Sequence, residues 1–430
     1  MTCFSRDSIE RCVFFRMNTA RKYNWHKVVA MLLCVVATCS FFSCSSADDS
    51  SDIPPTPIDD KYAADSRTVL VYIVGENDLS RCIKDDVEEM LAGIKSNKLK
   101  AGDNLVLYID DYEKPRIYLL NNRTKAVRYS ELVPVKKYST EVNSASADNL
   151  ADVLQYVKTN YKADSYGLVM WSHGSGWLFS GNSKDNAGRK SPRRTIGLDG
   201  YREMNIDAMA DALRECMKLD FVLFDACFMQ SIETAYELKD CADCIIGSPA
   251  EIPDSGAYYT TMTEAMFKAD DCAKEIVDKY HQHYAAPGNL YGIIVSAIKT
   301  EKLDDFVAET KSYVEKYRTE LLSADYSEVQ NYFKFGAWST DYPDFPDMKG
   351  VMRKVLTDAE YASYTTTMSE TVYCRHAAYW YTGYARRRIA LVPEQSGGVS
   401  MFIPQSKYNY SVKKYNEMFE RTSWYKDVWK

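Results

Sequence analysis

Short, unbroken apolar runs that end at polar or reactive residues restrict the fold of this chain more than any other feature. Thr68-Val-Leu-Val-Tyr-Ile-Val74 and Asn104-Leu-Val-Leu-Tyr-Ile-Asp110 show no alternation, as expected of strands covered on both faces. Leu150, Val153, Leu154, Val157 and Tyr161 then recur at helical spacing, and Tyr166–Trp171 follows as a third strand. Ile206, Met209, Ala210 and Leu213 mark another helix before the strand Phe221–Phe224, and a helix is expected over about 229–238. Alternating strands and helices imply an α/β fold, a three-layer α/β/α sandwich around a mainly parallel sheet. Cys244–Gly247, Tyr291–Ser296 and Gly398–Pro404 are further expected strands, and Val307–Leu322 an expected helix.

With 430 residues and 46% hydrophobic content, the chain can bury a large core. A net charge of −7, with Lys and Arg dispersed, argues against a nucleic-acid partner. Arg21, Lys22 and Lys27 precede an apolar run, Val28–Phe42, of signal-peptide length, with Met17 as an alternative start. The run closes at Ser43-Cys44, which resembles a bacterial lipoprotein cleavage box with Cys44 as the lipidated residue; Cys39 is a second candidate and plain secretion the alternative. The division expected is therefore 1–43 signal peptide, 44–66 disordered tether, 67–300 main α/β core and 301–430 C-terminal subdomain with the late strand 398–404. Ser46-Ala-Asp-Asp49 resembles an acidic signal for surface export of lipoproteins in Bacteroidetes-like bacteria, so the expected location is the outer membrane, facing outward.

Seven cysteines follow Cys44, an odd number that leaves at least one free thiol. Cys241 and Cys244 lack a second pair at zinc-like spacing and read as buried thiols or a local bridge. His281 and His283, two apart on an expected helix, face different sides. No metal ligands are assigned.

Two segments carry the chemistry. Tyr166-Gly-Leu-Val-Met-Trp-Ser-His173-Gly-Ser-Gly-Trp177 and Phe221-Val-Leu-Phe-Asp-Ala-Cys227-Phe-Met-Gln-Ser231 are strands that each stop at a reactive side chain. Ligands of an open parallel sheet gather outside the carboxyl ends of its strands, so His173 and Cys227 would face each other there as a nucleophile and its base. A following helix N-terminus would add to the imidazolium in favouring the thiolate. Asp225, two residues before Cys227, would line the pocket for a cationic side chain. The backbone N–H groups of Gly174 and Cys227 would hold an oxyanion.

Both segments resemble the signatures of the clostripain family of cysteine peptidases, relatives of caspases, legumains and gingipains. Tyr166–Trp177 and Phe224-Asp-Ala-Cys-Phe-Met229 match them, as do Val71–Asp78, Glu251–Gly256 and Val399–Pro404. The resemblance implies a caspase-like fold and cleavage of peptides or proteins after Arg or Lys. It implies that Asp225 contacts that side chain, with the loop Glu251–Gly256 as a further wall and Asp254 as a second acidic contact. It also implies a zymogen cut between the two signatures, where Lys184, Arg189, Lys190, Arg193 and Arg194 offer cleavage points. Some relatives depend on calcium; no Asp-rich calcium loop is visible, no cofactor is assigned, and calcium dependence stays open. A catalytically silent lipoprotein that binds basic peptides is the alternative, and a ligase on the same dyad a third reading.

Overall fold

The computed structural model describes residues 65–97, 99–178, 196–333, 343–383, 386–409 and 414–430, all within one unit, Asp48–Lys430. Its first strand, β1 (Arg67–Val74), is buried throughout because each face has its own cover. Val69, Val71 and Ile73 pack with the helices Ser80–Asn97, Tyr259–Met266 and Cys272–Tyr284. Leu70, Tyr72 and Val74 pack with Ala147–Asn160 and Ile206–Cys216 on the other side. A run without polar alternation is thus the sequence of a strand between two helical layers.

The remaining strands are β2 (Asn104–Asp110), β3 (Arg116–Leu120), β4 (Lys136–Lys137), β5 (Ser165–Trp171), β6 (Ile196–Asp199), β7 (Arg202–Met204), β8 (Leu219–Asp225), β9 (Ala242–Gly247), β10 (Gly292–Lys299), β11 (Val372–Thr382) and β12 (Arg387–Ala390). Among the described residues, ten of the twelve strands form one sheet in the order β12-β11-β10-β9-β8-β5-β1-β2-β3-β4, and β6-β7 is a separate hairpin. The middle of the sheet, β9-β8-β5-β1-β2, is parallel, and antiparallel strands extend it at both ends. Among the described residues no helix is long and apolar enough to cross a membrane.

Four expectations need correction. The helix behind Cys227 begins only at Ile232, capped by Ser231, and ends at Glu237. The expected helix over 307–322 is two, Leu303–Lys316 and Arg318–Ser323, separated at Tyr317. Gly398–Pro404 is extended but joins no ladder, because its backbone bonds go to separate loops: Ser400 N–H to Gln230 O (3.1 Å), and Val399 O from Met348 N–H (2.9 Å). A boundary at residue 300 divides no bodies either, since β11 pairs directly onto β10, and Trp177, Phe228 and Ile232 share one core with Phe306, Trp380 and Trp429.

Candidate active site

In the parallel pair β5-β8, Trp171 lies opposite Asp225. His173 and Cys227 each stand two residues further on, at matching positions past the carboxyl ends of strands that run about 4.8 Å apart. Both line a cavity of about 600 Å3.

Cys227 is half-buried, and the Ile252 N–H donates to its Sγ at 3.4 Å. The next residue, Phe228, has φ +62°, a left-handed conformation that is strained for a bulky side chain. A hydrogen bond from its N–H to Ala250 O (3.0 Å) and ring contacts with Phe333 and Phe345 hold it. The chain therefore turns sharply at the sulfur. Gly174 lies against this turn: a Cβ there would sit 2.7 Å from Cys227 O and 2.8 Å from Met229 Sδ. Only glycine lets the two reactive loops touch.

His173 Nε2 is 2.6 Å from Asp78 Oδ1. Asp78 follows β1, the other neighbour of β5, and was missed as a site residue. Its signal was available, because an acid just past the end of the strand beside β5 must lie at the same sheet edge as His173.

Asp225 is buried at the cavity and accepts hydrogen bonds from Tyr280 Oη (2.6 Å), Tyr259 Oη (2.7 Å) and Ala257 N–H. Burial raises its pKa despite these three donors. A Cβ on Gly256 would be 2.6 Å from Asp225 Oδ2, so the glycine keeps the approach to the carboxylate open. Two further acids lie near Asp225. Burial pushes Asp86 up to about 9, with Asp225 adding repulsion, while Trp171 Nε1–H donates to Asp86 at 2.8 Å. Glu89 is pushed up to about 7 by burial. Asp225 lines the cavity itself, while Asp86 and Glu89 lie near enough to feel its charge.

The loop Glu251–Gly256 forms one wall, as the resemblance implied. Asp254 lines the rim but is engaged at 2.5 Å by Arg81, with both side chains about half exposed, so an incoming cation would compete with an existing ion pair. Cys44, Lys184, Arg189, Lys190, Arg193 and Arg194 lie outside the described residues. The chain re-enters at Ile196 beside the site, where Gly197 N–H donates to His173 O at 3.1 Å. The seven described cysteines are all free thiols, so Cys241 and Cys244 form no bridge. Glu76, Asp110 and Glu141 bring carboxylate oxygens within 4.8 Å of one another in a separate group.

Comparison with known proteins extends the two sequence signatures to nearly the whole chain: the clostripain family model matches residues 71–430. The chain belongs to the clostripain family. Clostripain of Hathewaya histolytica is 26% identical over 218 residues, covering 45% of this chain and 40% of that relative's length. An inactive zymogen C11 protease from Parabacteroides distasonis is 30% identical with a TM-score of 0.70, covering 84% of this chain and 97% of its own. A secreted C11 cysteine protease from Bacteroides thetaiotaomicron, solved with an irreversible peptide inhibitor, is 28% identical with the same TM-score over 85% of this chain and 99% of its own. This clostripain-family chain therefore has the caspase-like α/β fold, with a central parallel sheet between helical layers.

Proposed function

We propose that this protein is a cysteine endopeptidase that cleaves after Arg or Lys. The observation that carries the reading is the matched placement of His173 and Cys227 past adjacent parallel strands, above a cavity whose floor holds Asp225. Cys227 gives its proton to His173 and attacks the scissile carbonyl carbon, and the breaking C–N bond takes that proton onto the leaving amine. Water then hydrolyses the thioester and restores the thiol. With Nε2 donating to Asp78, Nδ1 is the ring nitrogen that exchanges protons. The N–H groups of Gly174 and Cys227 hold the oxyanion, and Asp225 receives the guanidinium or ammonium of the substrate.

Membership in a family with a zymogen among its solved structures supports activation by a cut in the 180–195 loop, after which the chain re-enters the described fold beside His173. The signal-like N-terminus and Cys44 support a lipid-anchored protein outside the cell. Fluorogenic peptides ending in Arg, Lys, Asp or Asn, tested beside Cys227→Ala, decide the reading. Turnover of the Arg or Lys peptides alone, lost in the variant, is the expected result. No turnover even after trypsin nicks the 180–195 loop would leave a silent protein that binds basic peptides.

A further inference from the structure

Beyond β9 the sheet turns antiparallel, and its strands return to the catalytic edge. β10 runs against β9, so it starts where β8 and β9 end; β11 finishes there, and β12 starts there again. This alternation brings Leu290 and Tyr291, just before β10, to the same edge as Arg386, Arg387 and Arg388, at the turn into β12. With Tyr381 they line a second cavity of about 400 Å3. Tyr291 and Tyr381 also line the catalytic cavity, so the two spaces adjoin across this pair of rings, whose centroids are 5.7 Å apart.

Arginines on an edge strand can serve only to keep other strands from pairing, and Arg388 has a bracing role of its own. Its Nε–H donates to Leu290 O (3.0 Å), and its guanidinium lies over the Tyr379 ring. Arg386 and Arg387 differ. Both are exposed, and among the described residues neither side chain is in an ion pair or a hydrogen bond. Arg386 also has φ +48°, a left-handed conformation that glycine or asparagine would adopt more easily. Leu290 and Tyr291 beside them are exposed apolar side chains. Two unneutralised guanidinium groups over a concave surface of apolar side chains suit a carboxylate carried on an extended peptide.

We propose that Arg386 and Arg387 form a substrate subsite for a Glu or Asp side chain, which favours Arg or Lys peptides with an acidic residue near the cut. The cleft is then complementary at both ends, Asp225 facing the cation and the two arginines the anion. A cavity of about 600 Å3 is roughly 8 to 10 Å across and an extended chain advances about 3.3 Å per residue, so the acidic residue belongs about two to four residues from the Arg. The whole chain carries a net charge of −7, so its overall field disfavours acidic peptides, and a preference for them has to come from a local contact.

The effect on turnover rests on the peptidase reading; the effect on binding does not. Internally quenched peptides with a single Arg, carrying either Glu or Gln at each nearby position in turn, are compared by kcat/KM. Glu should be favoured about threefold to tenfold at one or two positions on one side of the Arg, and the preference should shrink in about 0.5 M salt. The double variant Arg386→Glu, Arg387→Glu should invert the selectivity, favouring Lys over Gln at those same positions, a change that partial unfolding does not produce. If the wild type turns over no peptide, the peptidase reading fails on its own, and the subsite is read from fluorescence anisotropy of labelled Glu and Gln peptides on Cys227→Ala, with the same ratio expected. No Glu preference in the assay that reads it, an equal preference at every position, as long-range attraction would give, or a ratio unchanged in the double variant would overturn the subsite.

Discussion

Cys227 and Asp225 are separated by a single residue yet occupy different surroundings, and the proposed cation-selecting thiol site depends on this difference. Asp225 sits among Tyr259, Tyr280 and the Ala257 N–H, whereas Cys227 stands past the strand end, where Ile252 N–H meets its sulfur. Asp225→Asn keeps the shape and removes the charge, so kcat/KM for Arg peptides should fall about a hundredfold or more, as expected for losing a buried charge-assisted pair. Steady-state kinetics on Arg peptides against the wild type measures it. Because burial raises the Asp225 pKa, the carboxyl is neutral at low pH and gains its charge later than an exposed aspartate. KM for Arg peptides should therefore fall as pH rises through that elevated value, and the trend should vanish in Asp225→Asn. Asp78→Asn should lower kcat about tenfold with little change in KM, because Asp78 touches the proposed base and is mostly exposed. A loss confined to KM would remove Asp78 from the proton relay.

The helix Ser80–Asn97 supplies Asp86 and Glu89 near the cavity floor, and it carries a pH signature. Both carboxyls are raised by burial, Asp86 to about 9 and Glu89 to about 7, so the folded chain holds protons that the unfolded chain has released. The unfolded state binds fewer protons between about pH 4 and those values, and stability declines as pH rises through that window. Asp86→Asn should raise the thermal midpoint at pH 8 to 9 and change it little near pH 4, as read by melts across pH; equal effects at both ends would exclude this cause. The short helix Ile232–Glu237 shows where element reading failed. Met229, Ile232 and Tyr236 have helical spacing, but Gln230 bonds Ser248 O through its N–H and accepts from the Ser400 N–H, which holds the chain extended until Ser231 caps the helix. Cys227 is consequently outside the first turn, where a helix dipole acts. Tertiary pairing overrode local pattern there.

At the scale of the molecule, the last 130 residues complete the fold: β11 and β12 extend the sheet, and Val399–Ile403 packs in the same core as Phe228. A chain ended at residue 300 should therefore lack a cooperative melt and a monomeric elution, checked by circular dichroism and size-exclusion chromatography; a folded 67–300 fragment would contradict this. The parallel middle of the sheet was legible in the sequence, because strands buried on both faces must be continuously apolar, and each of the runs at 68–74, 104–110 and 166–171 falls on β1, β2 and β5. The positions of His173 and Cys227 at the sheet edge were legible for the same reason, since the ends of apolar runs mark where strands stop. Groups that meet only across the fold were not legible. Asp78 reaches His173, Tyr259 and Tyr280 reach Asp225, and Arg81 takes Asp254, each over long sequence separations. Glu76, Asp110 and Glu141 carry no contiguous motif, so their meeting is set by the order of β1, β2 and the loops between them. The sequence by itself determined which segments become strands and where the reactive side chains fall along them, because burial writes itself into local hydrophobic pattern. The tertiary structure alone decided which charges stand together, because electrostatic partners are chosen by proximity in space and leave no period in the chain.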